Sequence, residues 1–148
     1  PIRLAKLVER VVASKKAEGA HIAVHAADAE LATVGYEQRF ERVVGHLVQN
    51  AIDATRESGE VRIRVGAEGR DAVIEIADSG CGMSEVFLRE RLFRPFQTTK
   101  GNGMGIGVYE VAQYTKDMGG RIEVDSRPGA GTRFRLSFPL ERNAAIAA

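Results

Sequence analysis

The chain has 148 residues, 44% of them hydrophobic and 28% charged, with a formal net charge of +1 and one cysteine, Cys81. That length suits a single domain with a real core, and the composition is that of an ordinary globular protein. The small net charge gives no electrostatic case for nucleic acid or an anionic membrane surface, one cysteine excludes an internal disulfide and fits a reducing compartment, and no apolar run approaches membrane-spanning length.

The chain opens on Pro1 with neither Met nor a signal peptide, so it is expected to be an excised piece of a longer protein that could carry membrane segments of its own. Leu4, Leu7, Val8, Val11 and Val12 recur at helical spacing, with Gly19 as a stop. Residues 21–25 alternate, placing Ile22 and Val24 on one face of a strand, and a short strand is expected near 31–34. The clearest helix runs from 36 to about 56, where Phe40, Val43, Val44, Leu47, Val48 and Ala51 form a buried stripe. Val61, Ile63 and Val65 alternate with Arg62 and Arg64 in a strand with one dry face, which turns at Gly69, Arg70 and Asp71 and returns over 73–78. A short helix is expected over 84–91 with Ser84 as N-cap, then irregular chain over 93–102. A helix over about 105–118 ends at Gly119 and Gly120, and two last strands over 121–126 and 132–138 flank a turn at 128–131. Residues 143–148 read as a frayed tail. One-faced, mostly hairpin-connected strands with amphipathic helices predict an α+β fold: a two-layer sandwich of one mixed, mostly antiparallel sheet backed by helices.

Several polar residues interrupt this pattern in ways that suggest chemistry. At about 100° per residue, His46, Asn50 and Asp53 fall within roughly a 60° arc that flanks the apolar stripe, which would set them at the edge of a cleft. The same arc would equally serve as a solvated polar face. Asn50 offers an oxygen suited to a hard cation such as magnesium. Asp78 shares a strand face with Ile74 and Ile76, and a carboxylate ending a dry face needs a partner. Gly80 and Gly82 follow it and permit a tight turn close to a ligand, although Asp and Gly after a strand also make an ordinary turn. Thr132 shares a face with Phe134, Leu136 and Phe138, so its hydroxyl points inward, unless the residue is there only for strand propensity. Alternating glycines at 101, 103, 105 and 107 lead into a helix, where free N–H groups and the helix dipole favour a polyphosphate. Their spacing fits neither a dinucleotide fingerprint nor a P-loop.

Together these segments resemble the Bergerat-type ATP-binding site shared by histidine kinases, type II topoisomerase ATPase subunits, Hsp90 and mismatch-repair ATPases. The stretch His46-Leu47-Val48-Gln49-Asn50-Ala51-Ile52-Asp53-Ala54 resembles the N box of sensor histidine kinases, and the box around Asp78 and the alternating glycines resemble their two glycine boxes. Phe93-Arg94-Pro95-Phe96-Gln97-Thr98-Thr99-Lys100 is similar to their phenylalanine motif and ATP lid, with wording nearest to nitrogen-regulatory kinases and to kinases linked to exopolysaccharide export and protein sorting. The resemblance covers about residues 4–140, the expected core of a single ATP-binding domain over 1–148.

The resemblance implies that Asp78 and Thr132 hold adenine, that Asn50 holds magnesium, and that Lys100 and the backbone of Gly101, Asn102, Gly103, Met104, Gly105, Ile106 and Gly107 hold phosphates. Asp53, Gly80, Gly82, Met83, Phe96 and Thr99 are expected to line the ATP site, and His46, Asn50 and Lys100 to serve the transfer step. Hydrolytic relatives carry a Glu where this chain has His46, which favours a kinase over an ATPase or anti-sigma-type relative; a non-binding interaction module is a further alternative. His21 and His25 read as solvated, so the phosphoacceptor histidine is expected on a separate helical dimerisation domain. The implied setting is cytoplasmic, in a parent that could be membrane-anchored. A response regulator receiver domain is the implied partner, without nucleic acid or direct membrane contact. This piece is expected to be monomeric and its parent a homodimer.

Overall fold

The computed structural model describes residues 2–16, 21–26, 31–55, 59–80, 104–127, 129 and 131–140. The elements in order are β1 (Ile2–Arg3), α1 (Leu4–Lys16), β2 (Ile22–Ala26), β3 (Ala32–Thr33), α2 (Glu37–Ala54), β4 (Val61–Glu68), β5 (Asp71–Asp78), α3 (Met104–Asp117), β6 (Arg121–Arg127) and β7 (Gly131–Pro139). Five strands form one sheet in the order β2-β4-β5-β7-β6, and β1 pairs with β3 in a small second sheet. Only the β2–β4 pairing of the five-stranded sheet is parallel.

The period of two along each strand separates the sheet into a dry and a wet face. Three apolar rows cross the dry face in register: Ile63, Ile76, Phe134 and Val124; Val65, Ile74, Leu136 and Ile122; then Ala67, Ala72 and Phe138. The helices cover this face. Phe40, Val43, Val44, Leu47, Val48 and Ala51 of α2 are all buried, as are Leu4, Leu7 and Val8 of α1 and Val111 and Tyr114 of α3. Full burial of each large apolar side chain contributes about 1.5–3 kcal/mol. Phe40 meets Tyr114 edge-on at 5.4 Å and Phe138 at 4.8 Å, so one aromatic cluster joins both long helices to the sheet. The wet face carries cross-strand charges, including Arg64 with Glu75, Arg133 with Asp125, and Arg135 with Glu68 and Glu75.

Chain ends and turns follow local chemistry. Glu37 sits in the first turn of α2, where its charge suits the helix dipole. The helix stops at Ala54, and the Thr55 N–H returns to the Ala51 and Ile52 carbonyls. At the end of α3, Gly119 takes φ 74°, the Gly120 N–H bonds the Thr115 carbonyl and the Gly119 N–H bonds the Lys116 carbonyl, the paired bonds of a Schellman cap.

The two-layer α+β sandwich and its mostly antiparallel sheet agree with the sequence reading, and the shared elements agree to within two residues. Strand β1 is an addition: two residues next to a helix carry no periodic signal. Ile22 is buried but Val24 is 38% exposed, because β2 is an edge strand that the helices cover only at its start. The expected helix over 84–91 and the tail over 143–148 lie outside the described residues.

Candidate functional site

At one end of the sheet the dry face turns polar. The row beyond Ile63, Ile76, Phe134 and Val124 consists of Val61, Asp78, Thr132 and Ser126, aligned across four strands. Asp78 and Thr132 are direct cross-strand partners. Thr132 is 7% exposed, so its inward hydroxyl needs a partner. Ser126 supplies one, with the two hydroxyl oxygens 2.7 Å apart, and the Ser126 hydroxyl also lies 3.0 Å from the Gly131 carbonyl oxygen. Sequence reasoning does not single out Ser126, although a signal exists: it continues the inward alternation of Ile122 and Val124.

Asp78 is shaped by the two glycines beside it. Its Oδ1 accepts the Gly80 N–H at 2.8 Å, closing the turn that follows β5. Gly80 itself lies against the end of α2: a Cβ there would stand 2.2 Å from the Ala54 carbonyl oxygen. Gly131 has φ 92°, and a Cβ on it would stand 2.1 Å from the Asp78 carbonyl oxygen. Only glycine meets both requirements at 131. The start of β7, the end of β5 and the last turn of α2 are therefore held together by backbone-to-backbone approach.

The polar residues of α2 stand on this same end. Asn50 lies one turn before Ala54, about 6 Å along the axis, and is partly buried. His46 Nε2 lies 3.6 Å from Glu110 Oε2 on α3. Asp53 is exposed, and its Oδ1 accepts from Gln49, whose own side-chain oxygen accepts from Lys15 of α1 at 2.7 Å. The expected arc is thus tied to α3 at His46 and, through Gln49, to α1 at Asp53. Lys15, which sequence reasoning does not single out, brings a cation to the flank of α2.

A shallow cavity of about 330 Å3 wraps round this sheet end, lined by Ala77, Asp78, Asp125, Ser126, Gly131, Thr132 and Arg133. Its lining includes the carboxylate of Asp78 and the hydroxyl of Thr132 side by side, a pairing that a flat heterocycle with an exocyclic amine could meet. Met104, Gly105, Ile106 and Gly107 form the first turn of α3, so the helix begins inside the second glycine box. Gly82, Met83, Phe96, Thr99, Lys100, Gly101, Asn102 and Gly103 lie outside the described residues. No group of three or more His, Cys, Asp or Glu side chains that could hold a metal ion occurs among the described residues.

Comparison with known proteins agrees with this geometry. The family described as Histidine kinase-, DNA gyrase B-, and HSP90-like ATPase matches residues 35–142. The chain is 36% identical over 106 residues to the sensor histidine kinase CitA of Klebsiella pneumoniae, covering 68% of this chain and 19% of CitA. It is 36% identical over 110 residues to the C4-dicarboxylate transport sensor protein DctB of Rhizobium meliloti, covering 73% of this chain and 17% of DctB. The chain thus spans under a fifth of these relatives' length. Among solved structures, the nucleotide-free catalytic domain of histidine kinase ThkA superposes with a TM-score of 0.83 at 26% identity, covering 93% of each chain. Full-length ShkA in complex with AMPPNP superposes at 0.80 and 25% identity over 95% of this chain and 30% of that one. The chain belongs to the histidine kinase-, DNA gyrase B- and HSP90-like ATPase family, and its fold is that of a histidine kinase catalytic domain.

Proposed function

We propose that this chain is the ATP-binding catalytic domain of a sensor histidine kinase, one domain with its core over residues 4–140, which passes the γ-phosphoryl group of ATP to a histidine on a separate helical domain. The observation that carries this reading is the polar row at the end of the dry face, with Asp78 and Thr132 paired in register and two glycines pressed against backbone on either side of Asp78. Asp78 would accept the adenine amino group, with Thr132 beside it. Asn50, one turn from the Gly80 contact, would hold magnesium, and the amides at the start of α3 together with Lys100 would hold phosphates. When bound, magnesium would neutralise phosphate charge; the chain's own work is positioning. His46 in place of a carboxylate base favours transfer to a histidine over hydrolysis.

The partners on this reading are the helical dimerisation and phosphoacceptor domain of the parent and a response regulator receiver domain, in the cytoplasm, with the parent a homodimer. None of the described helices is long and apolar enough to cross a membrane.

The test is calorimetric titration with AMPPNP and magnesium, alongside thermal melting. A nucleotide that binds the folded state alone, at a hundred times its Kd, should add about 2.7 kcal/mol of stability. A folded chain that neither binds nor gains stability would overturn the reading in favour of a non-binding interaction module.

A further inference from the structure

The side of α2 that meets α3 carries a cationic stripe, and the facing side of α3 an acidic one. Arg39 Nη2 donates to Asp117 Oδ2 at 3.2 Å, and the Asp117 Oδ1 atom accepts from Gln113. Further along, Arg42 Nε and His46 Nε2 both approach Glu110 Oε2, each at 3.6 Å. Residues 39, 42 and 46 share one side of α2, as 110 and 117 share one side of α3. The order of the rungs shows that the two helices run antiparallel, with the Glu110 rung nearest the start of α3.

The place of that rung gives it a role beyond packing. His46 stands one turn before Asn50, and Glu110 stands less than two turns after Met104, where α3 begins. One carboxylate therefore ties the helix that bears Asn50 to the helix whose first turn ends the second glycine box. Beneath it, buried Val111 and Tyr114 hold α3 to the core. The side chains of His46 and Glu110 remain 42% and 41% exposed. Exposed pairs of this kind contribute little to folding, so the rung is not needed to keep the helices together.

We propose that Glu110 is a positioning residue for phosphoryl transfer, acting through His46 and Arg42 to fix the spacing between Asn50 and the first turn of α3. The proposal rests on the kinase reading above. Alignment at a reacting centre is steep: a displacement of about 1 Å can lower a rate about a hundredfold without removing binding. Loss of the Glu110 rung should therefore appear in the transfer rate, not in ATP affinity.

The experiment uses the whole kinase, with Glu110→Gln, Glu110→Asp, His46→Gln and the Glu110→Gln/His46→Gln pair. Autophosphorylation is followed for kcat and KM, and melting is measured on each variant. Glu110→Gln should lower kcat at least about tenfold while KM for ATP stays within about threefold, the signature of an interaction made in the transition state. Its melting temperature should shift by less than about 2 °C. Glu110→Asp should recover part of the rate, and the double variant should fall no lower than the worse single one, as residues acting as a unit do. Wild-type kcat in Glu110→Gln, a loss that follows melting temperature, or an aspartate variant no better than glutamine would each overturn the positioning role. A wild-type kinase that binds no nucleotide would instead overturn the reading of the site itself, and this proposal with it.

Discussion

Asp78 and Thr132 face each other across β5 and β7 in the polar row that ends an otherwise apolar sheet face. The Asp78 carboxylate already accepts one hydrogen bond, from the Gly80 N–H, and the Thr132 hydroxyl lies 2.7 Å from that of Ser126. Each side chain is therefore held in place, and if the two receive adenine as proposed, the ordering cost of binding falls.

Asp78→Asn tests the carboxylate. The amide oxygen can still accept from Gly80, so the turn should survive, but the amide nitrogen would then present a donor to the adenine amino group. AMPPNP affinity should fall about ten- to a hundredfold, in line with about 1.5–3 kcal/mol for a hydrogen bond to a charged group, with little change in melting temperature. Thr132→Val should cost less, about 1 kcal/mol. Calorimetry reads both, and unchanged affinity in Asp78→Asn would remove Asp78 from the site.

The glycines should separate by what lies next to them. Gly80→Ala and Gly131→Ala each drive a methyl group into a backbone carbonyl, and the change at 131 adds an unfavourable positive φ. Each should lower stability in urea by about 1–3 kcal/mol. Gly66 lies in β4, and nothing stands within 4 Å of the place a Cβ would take on it. Gly66→Ala should therefore change stability by less than about 1 kcal/mol, or raise it.

Asn50→Ala bears on the cation. Nucleotide affinity should lose most of its dependence on magnesium, while binding without magnesium stays within about threefold of wild type, as expected when a metal ligand and not an adenine contact is removed. Titrations with and without the metal give the ratio directly. An unchanged ratio would take Asn50 out of that role.

Tyr114 reports on the core. Burial pushes its phenol from 10.0 up to about 12, against the opposing pull of Arg39 and the Tyr36 backbone. The folded protein then keeps a proton that the unfolded chain loses above pH 10, so this contribution is intact below pH 10 and is lost as pH rises towards 12. The Tyr114→Phe variant should lose less stability than wild type over that interval, by on the order of 2 kcal/mol. Urea unfolding at about pH 9 and about pH 11.5, either side of the ordinary phenol value, compares them.

Much of this is readable in the residues because periodicity is strong where one face is dry. The stripe of α2 from Phe40 to Ala51 and the alternation in β4, β5 and β7 give both the elements and their buried faces. Asp78 and Thr132 stand out because each ends an apolar alternation. What is not readable depends on contacts between distant segments. Gly131 gains its meaning only beside the Asp78 carbonyl, and Glu110 only beside Arg42 and His46. Val24 looks interior in the sequence because alternation shows which residues share a face, but not whether a helix covers it.

Strand β7 lies between β5 and β6 in space yet comes after both in the chain, the last of the described strands to be made. Its Thr132 faces an aspartate synthesised more than fifty residues earlier, and its far end, Pro139, pairs with Asp71. During translation, then, the polar row stays incomplete while β4 and β5 are already free to pair as a hairpin. At roughly 5–20 residues per second, the chain spends several seconds with Asp78 made but Thr132 not yet beside it.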